Sequence, residues 1–274
     1  MTNFHPDFRS LYDAVLSHDG WSLYWQVLAP WLDSHEGEVE WLRAFAARGG
    51  DPIPPASDED LWALYALSRA HDLLLTRFQP YRPEGTSFAP GTPLSLAEYI
   101  DFARALGFGV SEPSVFSSFY HEVVEVEVAA SPDEPASVVA CFWPCLMLGD
   151  LLFSRAGALI SVGANAMDKE IAETSTLYWA YRRRNRPTND LSFGWGSNSQ
   201  WRTRFRRDYR IAGSLHYNVD GSVDLEAEPL SDPDDSGLTQ NERIELLTHR
   251  CFVATTKPFA DLFPFGDTLF VSAS

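Results

Sequence analysis

His121-Glu-Val-Val-Glu-Val-Glu-Val128 decides the fold class, because its apolar residues recur at every second position. Val124, Val126 and Val128 fall on one side of an extended chain and Glu125 and Glu127 on the other, the pattern of a half-buried strand. Upstream of this stretch the apolar spacing is three and four; downstream it is two, apart from a late helix expected from Thr239 to about Arg250. Helices first and strands afterwards predict an α+β fold, an N-terminal helical region packed against a mostly antiparallel β-sheet. Residues 1–274 are expected to form one unit, helical over about 1–112 and sheet over about 113–274.

Downstream, Val138 to Trp143 is apolar on both faces and reads as a central strand stopped by Pro144, and Leu146 to Phe153 reads as a hairpin turning at Gly149-Asp150. Further strands are expected at about Leu159 to Val162, Thr176 to Arg182, Tyr209 to Ile211, Leu215 to Val219, Val223 to Leu225 and Thr268 to Ser272. Upstream, Phe8, Leu11, Tyr12, Val15 and Leu16 form one helical stripe and Trp21 to Leu32 a second, with Pro30 kinking or closing it. A weaker helix follows from about Glu36 to Arg48. Ser57-Asp-Glu-Asp60, Ser95-Leu-Ala-Glu98 and Thr239-Gln-Asn-Glu242 place a side-chain acceptor at a helix start and an acid three residues on, the capping-box arrangement.

The 274 residues are 45% hydrophobic and 14% aromatic, enough apolar surface for a sizeable core, which excludes a disordered polymer and a collagen-like fibre. Three Cys exclude a disulfide-stapled miniprotein; Cys141, Cys145 and Cys251 are expected as buried reduced thiols. The first residues carry no basic segment followed by an apolar run, and no apolar stretch reaches the roughly 20 residues of a membrane span, so a cytoplasmic chain without membrane contact is expected. A net charge of −17 repels nucleic acid, which argues against generic nucleic-acid binding.

That charge is uneven. Between Tyr181 and Arg210 lie nine Arg and two acids, a balance of +7 that leaves −24 for the other residues. Guanidinium groups interleaved with Trp, Asn and Gln recognise carboxylates, phosphates and planar rings. If Arg202 to Arg210 is extended, Arg202, Arg204 and Arg206 share one face. An anion or partner site is therefore expected from Arg182, Arg184, Trp195, Asn198, Gln200, Trp201, Arg202, Arg204, Arg206, Asp208 and His216, with the Gly194-Trp-Gly196 turn exposing backbone amides. The competing expectation is a solvated sheet face whose Arg row pairs across strands with acids such as Glu125 and Glu127.

Other patterns carry less. Asp232-x-Asp234-x-Ser236-Gly237 imitates the start of a calcium loop, but its twelfth position is Arg243 where a bidentate Glu is needed. Ser197, Asp208 and His216 follow the chain order of some hydrolases without a Gly-x-Ser-x-Gly elbow. His216 with Asp220, or His121 with Glu125, offers two metal ligands at best, and no glycine-rich phosphate loop is present, so no cofactor or metal is expected. Thr174-Ser-Thr176 followed by Glu226-Ala-Glu228, with Arg155 upstream, is similar to the arginine, Ser-Thr-Ser and Glu-x-Glu order of ADP-ribosyltransferases. The resemblance covers only those positions, departs at Thr174, and draws Glu226 from an acid-rich stretch where Glu-x-Glu arises easily.

The function expected from these features is a non-enzymatic cytoplasmic binding protein that engages a protein partner or a small anionic ligand. Its specific form would be an immunity-like inhibitor, an acidic protein neutralising a cationic enzyme. The alternative is an enzyme acting on a phosphorylated or nucleotide-like substrate, with Arg202, Arg206 and Trp201 holding the anion.

Overall fold

The computed structural model describes residues 4–80, 93–190, 201–227, 237–256 and 266–272. Among these residues the chain forms seven α-helices and twelve strands in α+β order. Helices α1 (Phe8–Ser17), α2 (Ala29–Ser34), α3 (Glu36–Ala46), α4 (Asp58–Leu75) and α5 (Leu96–Ala105) precede most of the sheet; α6 (Lys169–Thr174) and α7 (Gln240–His249) come later.

The capping signals act as the sequence predicts. Ser57, Ser95 and Thr239 each accept from the backbone N–H three residues on, and the acid there bonds back to the cap. The Trp21 to Leu32 stripe resolves differently. A π-helical turn, Tyr24–Leu28, runs into α2, whose first turn holds Pro30 where its missing N–H costs nothing. Trp21 and Trp25 therefore point to solvent, 70% and 61% exposed, instead of joining the core as their spacing suggested.

The large sheet has the order β1-β4-β5-β9-β10-β12-β11, comprising β1 (Gly109–Ser111), β4 (Cys145–Leu148), β5 (Leu151–Ser154), β9 (Asp208–Ile211), β10 (Ser214–Tyr217), β11 (Val223–Asp224) and β12 (Asp267–Val271). All pairs are antiparallel except β11 with β12. One face, with Leu146, Leu148, Leu151, Phe153 and Tyr209, packs into the helical core of Leu11, Leu64, Leu67, Tyr99 and Phe102. The other, with Cys145, Leu152, Tyr217 and Leu269, covers Phe119, Ala156 and Leu247. Gly149 turns the β4–β5 hairpin at φ +60, and a Cβ there would lie 2.3 Å from the Ala46 carbonyl oxygen, so only glycine lets this turn meet α3.

A second sheet, ordered β2-β6-β3, comprises β2 (His121–Val128), β3 (Ser137–Trp143) and β6 (Ala156–Val162). The strand that opened the sequence reading is bulged between Val123 and Glu125, so its alternation breaks: His121 through Val124 are all buried and Val128 is 56% exposed. Val138 to Trp143 is an edge strand and not the central one; β6 takes the centre. A short parallel pair, β7 (Leu177–Tyr178) with β8 (Thr188–Asn189), replaces the longer strand expected to Arg182. No helix among the described residues is long and apolar enough to cross a membrane.

Candidate functional site

The chain crosses from the large sheet to the small one at a single residue, Arg155, between the end of β5 and the start of β6. A lone charge inside the apolar run Leu151 to Val162 has nowhere to go but inward, and Arg155 is only 4% exposed. Beside it the first residue of β9, Asp208, is fully buried. The Arg206 Nε donates to one Asp208 oxygen at 2.8 Å and the Arg250 Nη2 to the other at 2.9 Å, while Asn218 N also donates at 2.8 Å. Arg155 Nη2 stands 3.8 Å from the carboxylate. Three guanidinium groups thus surround one acid.

The energetic consequence is an uncompensated buried cation. Nε, Nη1 and Nη2 of Arg155 have no hydrogen-bond partner among the described residues, and neither do Nη1 of Arg206 and Nε of Arg250. Burial raises the Asp208 pKa, but Arg206, Arg250 and Arg155 outweigh it and hold the carboxyl far below its usual range. Burial, and then the charge of Arg250, push Arg155 down to about 9. Buried donors left unmade are expensive, about 1–3 kcal/mol each and more when charged.

Two backbone outliers support the same spot. Trp179 has φ +55 and Arg250 has φ +60, left-handed conformations that cost a non-glycine residue about 1–2 kcal/mol. They are linked around the site: Tyr178 N donates to the Arg250 carbonyl at 2.8 Å, and the Arg206 guanidinium stacks 4.1 Å from the Trp179 ring centre. Trp179 and Arg250, with Ser68 and Phe205, divide two small cavities. The inner, about 30 Å³, is also lined by Arg155, Arg183, His71, Asp72 and Glu122. The outer, about 20 Å³, reaches Tyr65, Tyr181, Arg206 and the exposed Arg204.

Also lining the inner cavity, a group of one guanidinium and two carboxylates ties α4 to β2. Arg183 Nε and Nη2 donate to the two Glu122 oxygens at 2.8 Å, and its Nη1 donates to Asp72 at 2.7 Å. Burial would raise Asp72, but the Arg183 charge wins and lowers it to about 2. His71 is buried on the same wall, with Nε2 at 2.7 Å from the Tyr99 hydroxyl and Nδ1 at 3.8 Å from Asp72. Burial lowers its pKa, leaving a neutral ring whose nitrogens both face protein.

The residues expected from sequence scatter over four environments. Arg206 and Asp208 join the buried cluster. Arg182 stacks 5.2 Å from the Tyr181 ring, and Trp201 meets Tyr12 edge-on at 5.1 Å beneath Arg69, a cation caged by Tyr12, Tyr181 and Trp201. Arg184 is buried, with its backbone N–H on Gln79. Arg202 and Arg204 stay exposed, one over Trp62 and the other paired to Asp58 at the start of α4. Trp195, Asn198 and Gln200 lie outside the described residues.

The Arg row itself does not form. The strand begins only at Asp208, and Arg206 and Arg207 are both buried where alternation would separate them. The carboxylates that take the segment's arginines are Asp72, Glu122, Asp208, Asp220 and Asp58, rather than Glu125 and Glu127. His216 is not beside Asp208. It pairs in register with Tyr209 and packs 4.8 Å from Phe270, on the sheet face opposite Asp208.

Sequence reasoning missed Arg155, Arg183 and Arg250 as a set, and with them Asp72, Glu122 and Trp179. The one available signal was Arg155 alone in an apolar run. Of the positions that carry the ADP-ribosyltransferase resemblance, the Ser175 hydroxyl bonds to the Phe252 carbonyl, Glu226 is exposed, and Glu228 lies outside the described residues. The calcium-loop positions 232, 234 and 236 and Ser197 lie outside them too. Both His121 ring nitrogens face backbone carbonyls, of Ser117 and Pro113, and Asp220 is held by Arg207. Among the described residues no three His, Cys, Asp or Glu side chains gather as metal ligands. Cys141, Cys145 and Cys251 are unpaired thiols, and burial pushes Cys145 up to about 12. No family model matches this chain, and neither does any curated protein or solved structure.

Proposed function

We propose that this chain is a binding protein for a small anionic ligand, held where Arg155 and Arg250 face the cavity between α4 and the two sheets. The observation that carries the reading is Arg155: a buried guanidinium with three unpartnered nitrogens lining a cavity. A folded chain tolerates such a group when something else supplies the missing acceptor. Of the two binding modes the composition allows, a protein partner and a small anion, burial favours the second, since five of the segment's nine arginines, Arg183, Arg184, Arg186, Arg206 and Arg207, are buried away from any partner.

An enzymatic role would need a free acid or base at the anion. The histidine on the cavity wall, His71, has both nitrogens engaged by Tyr99 and Asp72, which supports binding without chemistry; His249, beside Arg250 but not among the cavity's lining residues, is the base an enzymatic reading would use.

The test is a thermal-shift screen of the purified chain against phosphates, sugar phosphates, nucleotides, carboxylates and divalent metals. A ligand at about 100 times its dissociation constant should stabilise the native state by about 2.7 kcal/mol. A shift with anions that disappears in Arg155→Met supports the reading. Shifts with metals alone, or with no anion, refute it.

A further inference from the structure

The charge and the size of the inner cavity narrow the ligand. Arg155, Arg206 and Arg250 against Asp208 leave two positive charges in a cluster that water barely reaches. Arg183 with Asp72 and Glu122, which line the same cavity, carries one excess negative charge, which drives an anion toward Arg155 and Arg250. The free donors converge from two directions: Arg155 from the β5–β6 junction and Arg250 from just past the end of α7. A planar carboxylate offers two oxygens in one plane, whereas a tetrahedral oxyanion offers several in different directions to both guanidiniums at once. The cavity, about 30 Å³, has room for two or three waters at roughly 10–15 Å³ each and falls far below the ~300 Å³ of a pocket that encloses a drug-sized ligand.

We infer that the group bound here is a tetrahedral dianion, a phosphate-type oxyanion, taken between Arg155 and Arg250. This rests on the anion-binding reading above and sharpens it. The source is either free inorganic phosphate or the phosphoryl end of a small monoester. In the second case the ester body would pass Trp179 and Phe205 into the outer cavity, which Tyr65 and Tyr181 also line. The left-handed backbones of Trp179 and Arg250 belong to this construction: they bring a ring and a guanidinium to the partition between the two cavities.

The experiment uses the whole chain, dialysed free of phosphate and sulfate, at pH 8. Melting temperatures are measured with inorganic phosphate, sulfate, phenyl phosphate, acetate and chloride at matched ionic strength. Phosphate and sulfate are expected to raise the melting temperature by several degrees at concentrations where acetate and chloride do nothing. A larger rise with phenyl phosphate than with phosphate identifies the monoester as the source; an equal or smaller rise identifies the free ion.

Acetate acting as well as phosphate overturns the dianion and leaves anion binding standing; no shift with any anion overturns both. In Arg155→Met the phosphate increment should vanish, and an undiminished increment means the ion binds elsewhere and the inference fails. Native crystals soaked in selenate provide a second check that leaves Arg155 in place. An anomalous peak within hydrogen-bond distance of the Arg155 and Arg250 nitrogens supports the inference, and peaks confined to the surface overturn it.

Discussion

Arg155 lies 3.8 Å from the carboxylate of Asp208 yet gives it no hydrogen bond, because Arg206 and Arg250 already hold its two oxygens at 2.8 and 2.9 Å. Its charge is therefore buried in excess. Replacing Arg155 by Met keeps the length and removes the charge, so in anion-free buffer the variant should be more stable by about 1–4 kcal/mol. Urea unfolding followed by far-UV circular dichroism measures this; a loss of stability would mean that Arg155 is a structural strut.

Asp208 has the opposite role. Asp208→Asn leaves three guanidiniums together with no acid and should cost about 3–5 kcal/mol. Combining it with Arg155→Met should return part of the loss, since the two residues share one network and their effects cannot be independent. A double-mutant cycle with additive energies would contradict the coupling.

The three arginines expected to form one row should behave as three unrelated residues. Arg202→Ala should stay within about 0.5 kcal/mol of the parent. Arg204→Ala loses an exposed ion pair to Asp58 worth about 0–1 kcal/mol. Arg206→Ala breaks a buried pair and uncovers the Trp179 ring, and should cost about 3–5 kcal/mol. Equal small effects at all three would restore the surface row.

Acid should act in two stages. Burial lowers His249 to about 4, so between pH 6.5 and 4 the unfolded chain binds a proton there that the native chain excludes, and the lowered His71 acts in the same direction below pH 6.5. Stability then falls with pH by about 1.4 kcal/mol per unit from His249 alone. Asp72, lowered to about 2 once Arg183 outweighs its burial, contributes stability that is complete above about pH 4 and is lost only as pH falls toward 2. Denaturant titrations at pH 7.5, 6, 5 and 4 should show the first stage, and His249→Gln should flatten it by about one proton.

The β9–β10 hairpin turns on Ala212-Gly213, at φ +50 and φ +90. Two left-handed residues make the turn that suits strand twist, but alanine fits that backbone poorly. Ala212→Asn should raise stability by about 0.5–1 kcal/mol, measured as a shift of the urea midpoint at constant m-value.

How much of this could be read from sequence depends on the range of the interaction concerned. The capping boxes at Ser57, Ser95 and Thr239 were legible because donor and acceptor lie three residues apart. The β4–β5 and β9–β10 hairpins were legible because Gly149-Asp150 and Ala212-Gly213 mark their own turns. Periodicity failed where the environment was two-sided or irregular. The bulge after Val123 reset the alternation of β2, and Val138 to Trp143 looked central from composition while the pairing order put it at an edge.

The site failed to show for a related reason. The anomalous charge of residues 181–210 was visible, and it did mark something. But Arg183 meets Asp72 across 111 positions and Glu122 across 61, and Arg250 meets Asp208 across 42. No spacing rule reaches that far. The sequence by itself determined the order of helices and strands, the turns, the caps and the concentration of guanidinium groups, because these follow from backbone sterics and from neighbours within a few residues. Only the tertiary structure decided which carboxylates those guanidiniums would find. Ion pairing inside a core depends on which side chains the packing removes from water together, and that count left Arg155 without an acceptor among the described residues.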